Sequence, residues 1–258
     1  MLANYHTHTF RCNHAKGKDE EYVLRAIEGG LKVLGFSDHA PINFVDGYKG
    51  WWRVQPEDAE EYINSLRKLR EKYKDKIKIH IGFEMEYFPE YFDKMYNYVK
   101  ELGAEYLIMG EHYTDGDWKE TTRHTNHTGH TPEDFKNYVD IVIDGMKTGK
   151  YLYVAHPDMF NLPENDAFYK KEAQRLCEAS KELDVPLEFN LLGIYDKRNY
   201  PDERFLAVAG KVGCKMVFGF DAHDPYRAYD DKSLVKAQEL VKKYNINLID
   251  EVEVKGLK

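Results

Sequence analysis

The chain has 258 residues, of which 42% are hydrophobic, and its 37 Lys and Arg against 45 Asp and Glu give a formal net charge of −8. This acidic balance argues against a nucleic-acid partner, because neutralising phosphates requires clustered Lys and Arg. The three cysteines, Cys12, Cys177 and Cys214, are too far apart for a disulfide framework, and no apolar run is long enough to span a membrane, so we expect a cytoplasmic protein.

Short runs of β-forming residues alternate along the chain with longer stretches of helical periodicity. The predicted strands cover residues 3–8, 33–38, 77–84, 104–110, 151–156, 185–190 and 215–221. The predicted helices cover residues 19–29, 56–73, 89–102, 132–148, 166–183, 202–213 and 231–244. Strict alternation favours parallel strands wrapped by helices, so we expect one domain over residues 1–258 with a distorted (β/α)7 barrel fold. The segment INLIDEVEV near the end of the sequence predicts a short additional strand.

Histidine and carboxylate side chains recur where the predicted strands end. His6 and His8 are two residues apart on an extended chain, so they face the same side and can share one metal ion. The other candidates at or just beyond strand ends are His14, Asp38, His39, Glu84, Glu86, His112, His156, Asp158, Asp221 and His223. The carboxyl ends of barrel strands meet at one mouth, and this set is too large for a single ion. The sequence therefore predicts several divalent ions, and His with Asp and Glu suits Zn, Mn or Fe.

Other residues near this pattern have competing interpretations. The tract RHTNHTGH places His124, His127 and His130 at intervals of three, and because no carboxylate shares the spacing we favour a surface loop or pocket lid over another metal site. Asp38 and Asp158 either orient the ligating imidazoles or cap loops. Cys12 is interpreted as a packed thiol rather than a ligand.

The motifs HTH, a further H six residues on, SDHAP, GFE, GEH, AHPD and DAH occur in this order between residues 6 and 223. Together they resemble the PHP family, named for polymerase and histidinol phosphatase, and in particular its histidinol-phosphatase branch. The resemblance implies a seven-stranded barrel with three divalent ions at its mouth. It implies one ion held by His6, His8, Glu84 and Asp221, a second held by Glu84, His112 and His156, and a third held by His14, His39 and His223. Two positions depart from the family pattern: Glu111 replaces a small residue, and HPDMFNLP lacks the arginine that tends to follow the fifth strand.

The resemblance also implies a reaction, the hydrolysis of a small phosphate monoester by a metal-bridging hydroxide, with L-histidinol phosphate of histidine biosynthesis as the substrate. Glu84 would bridge two ions, and Asp221 or His223 is the candidate proton donor to the departing alkoxide. Arg198 is the candidate phosphate-binding residue, with Arg53 and Arg123 as weaker candidates.

The sequence patterns also bear on several other classes of protein. A cysteine phosphatase is excluded, because none of the three cysteines is followed six residues later by arginine. A PHP-type enzyme acting on another phosphate ester or on a nucleotide phosphodiester stays open as the alternative. An amidohydrolase is less favoured, because no predicted strand ends in lysine, and a metal-storing protein stays open.

Overall fold

Eight parallel strands form one sheet in which the strand order follows the chain. The structure is a computed structural model that describes residues 1–45, 47–120, 122–164 and 166–258. The strands are β1 Ala3–Asn4, β2 Val33–His39, β3 Lys78–Glu84, β4 Tyr106–Met109, β5 Tyr153–Val154, β6 Leu187–Asn190, β7 Lys215–Gly219 and β8 Asn247–Ile249. This confirms the predicted parallel barrel-like fold, and β8 is the additional strand expected near the end of the sequence.

The helices lie between the strands. They are α1 Asp19–Glu28, α2 Ala59–Tyr73, α3 Phe92–Leu102, α4 Pro132–Lys147, α5 Asp166–Leu183, α6 Leu191–Asp196, α7 Glu203–Val212 and α8 Asp231–Tyr244. Seven of them match the predicted helices to within three residues at each end. The short α6 was not predicted, because its residues directly follow β6 without a separate helical period. Among the described helices, none combines the length and the apolar character of a transmembrane span.

The sheet curls until its first and seventh strands meet at the carboxyl end. Thr7 and Ala222 form an isolated parallel bridge just beyond β1 and β7. The backbone N–H of His8 donates to the Ala222 carbonyl at 2.9 Å, and the N–H of Ala222 donates to the His6 carbonyl at 3.2 Å. At the other end of β7, β8 pairs with it in parallel. The barrel is therefore closed at the mouth, where the ligand-bearing residues lie.

The opposite end of the barrel is filled by tyrosines. Tyr5, Tyr106 and Tyr153 are buried together in a small apolar cluster inside the sheet. Tyr106 donates from its hydroxyl to the carbonyl of Tyr5 at 2.7 Å. A side chain at Gly82 would place its Cβ 2.3 Å from the carbonyl oxygen of Tyr106, so only glycine allows this close packing. This end is therefore packed with side chains, and the carboxyl ends of the strands are the edge on which barrel proteins carry their ligand sites.

Candidate metal centre

Four buried ligand atoms converge just beyond the first, third and seventh strands. Nε2 of His6 lies 3.1 Å from Nε2 of His8, 3.4 Å from Glu84 Oε2 and 3.4 Å from Asp221 Oδ1. Nε2 of His8 lies 3.5 Å from Glu84 Oε2 and 3.2 Å from Asp221 Oδ1. Ligands about 2.1 Å from a tetrahedral zinc ion stand about 3.4 Å apart. The spacing of these four atoms therefore fits one divalent ion.

The two carboxylate oxygens of Glu84 face different imidazoles. Oε2 faces Nε2 of His6 and His8 and lies 3.1 Å from Nδ1 of His39. Oε1 lies 2.8 Å from Nε2 of His156 and 3.4 Å from Nε2 of His112. A Cβ at Gly110 would come within 1.9 Å of Oε1, so the glycine makes room for this carboxylate. The geometry suits a carboxylate that joins two metal positions.

A third group of imidazoles lies on the solvent side of the first two. The ring centroids of His14 and His39 are 5.3 Å apart, those of His14 and His223 are 4.6 Å apart, and those of His39 and His223 are 6.3 Å apart. Cys12 approaches the same group, but its thiol donates to the carbonyl of Thr9 at 3.2 Å and burial raises its pKa. Because the thiol is engaged with the Thr9 carbonyl, the arrangement favours the three imidazoles as the ligands of this group.

Five of the candidate ligand imidazoles donate from Nδ1 to an oxygen atom. The pairs are His6 with Glu188 at 2.8 Å, His8 with Asp38 at 3.3 Å, His112 with Glu86 at 3.0 Å, His14 with the Cys12 carbonyl at 2.8 Å, and His223 with the Asp221 carbonyl at 3.0 Å. These oxygens can only accept, so the proton sits on Nδ1 and the lone pair on Nε2 is left for a cation.

Some buried polar atoms of the cluster lack hydrogen-bond partners among the described residues. They are Nδ1 of His39, Oε2 of Glu84 and Nδ1 of His156. Unpaired buried donors and acceptors are costly, and a bound cation would satisfy the carboxylate oxygen of Glu84. The donor set of imidazoles and carboxylates therefore fits divalent metal ions.

The electrostatics of the cluster also favour cations. Burial alone lowers the pKa of His6 and His8, but the surrounding carboxylates, Asp221 foremost, outweigh it and raise both pKa values well above the ordinary value. Burial raises the pKa of Glu84 and Asp221, yet the surrounding imidazoles hold both pKa values well below their usual range. Two ionised carboxylates are thus buried together where positive charge is needed to balance them.

Two candidate ligands adopt left-handed backbone conformations. His156 has φ of 28° and Asp221 has φ of 50°, and they follow β5 and β7 closely. For non-glycine residues such conformations cost about 1–3 kcal/mol each, and they persist where the surrounding structure enforces them. The backbone is bent where these side chains turn into the cluster, a departure from regular structure that is frequent at functional sites.

Arg53 lies behind the cluster instead of in the cavity. Its buried guanidinium donates to both carboxylate oxygens of Glu86 at 2.9 Å and to Asp117 at 3.1 and 3.2 Å. Trp52 covers it, with the guanidinium carbon 4.0 Å from the ring centroid. The structure does not support the predicted contact of Arg53 with substrate, because its donors hold Glu86, which in turn holds His112.

The candidate orienting carboxylates behave differently. Asp38 accepts from Nδ1 of His8, as one of the two interpretations expected. Asp158 accepts instead from the backbone N–H of Asp202 at 2.7 Å, and burial raises its pKa to about 7. Glu188 was missed by sequence analysis, because it lies inside the sixth strand and not at its end.

A cavity of about 540 Å³ opens above the cluster. Arg198 lines it, and Arg227 and Lys16 lie there too, although sequence analysis did not single them out. Asp196 accepts from Arg198 at 3.0 Å and from Arg227 at 3.1 Å, which leaves the group with a net positive charge. The position of Arg227 shortly after the DAHD motif is the signal that could have identified it.

A parallel barrel with imidazoles and carboxylates gathered at its mouth belongs to the class of metal-dependent barrel enzymes. Residues 4–191 match the family described as the PHP domain. The chain belongs to the PHP family, as its motifs predicted.

Curated relatives and solved structures agree with this assignment. The chain is 26% identical over 269 residues to a probable histidinol-phosphatase of Schizosaccharomyces pombe, covering 92% of this chain and 85% of that one. It is 24% identical over 248 residues to the histidinol-phosphatase of Bacillus subtilis, covering 84% of this chain and 92% of that one. The fold matches the histidinol phosphate phosphatase of Lactococcus lactis, which was solved in complex with zinc, L-histidinol and phosphate. The TM-score is 0.75 at 20% sequence identity, and the match covers 100% of this chain and 98% of that one.

Proposed function

We propose that this chain is a metal-dependent phosphomonoesterase that hydrolyses L-histidinol phosphate to L-histidinol and phosphate. The observation that carries the proposal is Glu84, whose two oxygens face two sets of imidazoles at the floor of a cavity bordered by Arg198 and Arg227. The curated relatives named histidinol-phosphatase support the choice of substrate, because the matches extend over most of both chains.

Three divalent ions are the proposed complement of the site. His6, His8, Glu84 and Asp221 would hold one, Glu84, His112 and His156 a second, and His14, His39 and His223 a third. When bound, such ions stabilise negative charge on a phosphate and lower the pKa of water enough to provide a nucleophile near neutral pH. Three divalent ions against two ligating carboxylates leave the site positive, which favours a phosphate dianion. The zinc in the Lactococcus lactis structure supports Zn as one candidate, and Mn and Fe suit the same ligands.

The side chains around the cavity would bind and orient the substrate. Arg198 and Arg227 lie at its border as donors for phosphate oxygens, and guanidinium groups suit that geometry. Trp51, Trp52 and Tyr113 also line the cavity and offer aromatic surfaces to the imidazole ring of L-histidinol phosphate. The cavity volume of about 540 Å³ suits a small ester rather than a nucleic acid.

The two candidate proton donors fit better as ligands. Neighbouring imidazoles hold the pKa of Asp221 well below its usual range, so its carboxylate stays ionised. His223 donates its Nδ1 proton to the Asp221 carbonyl, which leaves Nε2 unprotonated. We therefore assign the proton for the departing alkoxide to solvent in the cavity.

The working unit in this proposal is one catalytic domain over residues 1–258, acting in the cytoplasm. A single sheet that includes all eight described strands supports the first part. The cysteines Cys12, Cys177 and Cys214, all free and buried, support a reducing compartment.

The decisive experiment measures phosphate release by metal-loaded protein from L-histidinol phosphate, other small monoesters and a phosphodiester, with metal content determined on the same sample. We expect about three ions per chain and a kcat/KM for L-histidinol phosphate roughly 100-fold above that for the other esters. A preference for the diester would instead favour the alternative, a PHP phosphoesterase acting on nucleotides.

A further inference from the structure

The loop that carries His124, His127 and His130 has no part in the proposed mechanism, yet it borders the cavity. His124 and His127 both line that cavity. The ring of His124 lies 5.7 Å from the ring of His112 and 5.1 Å from that of Tyr113, between centroids. A half-buried imidazole therefore stands beside a candidate metal ligand without belonging to the ligand set.

The hydrogen bonding of His124 determines which nitrogen carries its proton. The backbone N–H of Asn126 donates to Nδ1 of His124 at 3.1 Å. Because an amide N–H can only donate, Nδ1 is the acceptor and the neutral ring carries its proton on Nε2. His6 and His112 have the opposite arrangement, since each donates from Nδ1 to a carboxylate and keeps Nε2 for a cation. His124 is therefore not built as a further ligand but presents an N–H group.

The loop is held firmly against the end of β4. The backbone N–H of Thr125 donates to the carbonyl of His112 at 2.9 Å, and Nε2 of His130 donates to the carbonyl of His124 at 3.1 Å. Asn161 donates to the carbonyls of Thr125 and Asn126 from its backbone and side chain. These bonds hold the backbone on both sides of His124, so the ring is pre-organised beside the cavity before a ligand arrives.

We propose that His124 donates a hydrogen bond from Nε2 to a phosphoryl oxygen of the bound ester, next to the position held by His112. The ester as ligand rests on the function proposed above. Arg198 and Arg227 line the same cavity and supply charged donors, and His124 adds an imidazole N–H donor. This makes His124 a substrate-positioning residue that selects ligands with an oxyanion at this point.

Three variants of the metal-loaded protein test the role. His124→Phe keeps a ring but removes the donor, whereas His124→Gln keeps an N–H donor of similar reach. His127→Phe is the matched control on the same loop, since His127 is exposed and is assigned no contact with the ester. The readouts are kcat and KM for the monoester that the wild type hydrolyses, the inhibition constant of inorganic phosphate, and metal content.

We expect His124→Phe to lower kcat/KM and weaken phosphate inhibition by about 10- to 100-fold, the usual effect of losing a hydrogen bond to a charged group. His124→Gln should recover most of this loss, and His127→Phe should stay near the wild type, with unchanged metal content throughout. Equal loss in the Phe and Gln variants would show that ring shape matters and not the donor. Loss of metal in His124→Phe would show that His124 is a metal ligand. Wild-type kinetics of that variant would exclude the hydrogen bond to the phosphoryl oxygen. Each of these three results would overturn the proposal.

The same proteins separate this inference from the proposed function. If the wild type does not hydrolyse L-histidinol phosphate, that function fails, but calorimetric binding of inorganic phosphate still tests His124. Weaker phosphate binding by His124→Phe, restored in His124→Gln, would support the inference independently of the substrate. Equal phosphate binding by all three proteins, or none by any of them, would overturn it.

Discussion

Glu188 supports the candidate metal centre although it is not itself a candidate ligand. Its carboxylate accepts from Nδ1 of His6 at 2.8 Å and from the backbone N–H of His156 at 2.9 Å. Carboxylates in this position set the orientation and basicity of ligating imidazoles, and their loss costs about 10- to 100-fold in metal affinity. We expect Glu188→Gln to show that loss in a competition assay against a chelator. Glu172→Gln, at a buried carboxylate on α5, is the control, and equal affinity in both variants would contradict the assignment.

Glu84 is the residue whose loss should be most damaging. Because its two oxygens face separate groups of imidazoles, Glu84→Ala removes a ligand from two proposed metal positions at once. We expect metal content to fall by more than one ion per chain and kcat to fall by at least about 1000-fold, measured on the same preparation. His127→Ala, in the exposed part of the neighbouring loop, should change both quantities little. A larger effect of His127→Ala than of Glu84→Ala would mean that the loop, and not the cluster around Glu84, is essential for metal binding and turnover.

Arg53 should affect stability more than substrate binding. Its guanidinium neutralises the buried carboxylates of Glu86 and Asp117, so Arg53→Met leaves both without their cation. Breaking such a buried pair costs about 3–5 kcal/mol of the free energy of unfolding. Urea denaturation of metal-free protein measures this without interference from the ions, and Arg123→Met, at an exposed arginine, is the control. A raised KM with unchanged stability would restore the substrate role predicted from the sequence.

At the scale of elements, Asn190 links a helix cap to the metal centre. Its Oδ1 caps α6 by accepting from the backbone N–H of Leu192 and Gly193, while its Nδ2 donates to Glu188 at 2.8 Å and to Asp221 at 3.1 Å. We expect Asn190→Ala to lose about 1 kcal/mol of stability from the cap and, in addition, to weaken metal affinity. Denaturation and chelator competition measure the two effects.

The matched control for that variant is Thr131→Ala, which removes the capping side chain of α4 far along the chain from these contacts. It should lower stability by a similar amount and leave metal affinity unchanged. If both variants lose metal equally, the effect arises from general destabilisation and not from the contact of Asn190 with Asp221.

The elements also show what the sequence alone could predict. Helices with a clear apolar period, such as α5, were predicted to the residue, because burial of one face sets both period and length. The first strand was predicted over 3–8 but ends at Asn4, whose side chain accepts from the N–H of His6 and of Phe220 in place of a ladder partner. The bend at His156 and the pairing of Arg53 with Glu86 depend on contacts between distant segments, which no local pattern contains.

At the scale of the whole molecule, one end of the barrel carries the candidate metal centre and the other end stabilises the fold. The carboxyl end holds buried imidazoles and carboxylates that are costly without cations, whereas the amino end is closed by apolar and aromatic side chains. Backbone strain and buried charge at a ligand site lower the stability of the fold, so favourable packing elsewhere in the molecule must compensate for them. The packed end supplies that stability at a distance from the chemistry.

The segment after β8 belongs to this stabilising end. Val252 accepts from the hydroxyl of Tyr5 at 2.8 Å through its carbonyl, and both Val252 and Val254 pack against the tyrosine cluster. Ending the chain at residue 250 should therefore lower the free energy of unfolding by about 2 kcal/mol, the scale of losing the partial burial of two valines. Metal affinity should not change, because the removed residues lie at the opposite end of the barrel. Urea denaturation and chelator competition on the shortened protein measure the two quantities, with a chain ending at residue 254 as the control. A loss of metal affinity at full stability would show that the two ends are coupled and that the tail supports the site directly.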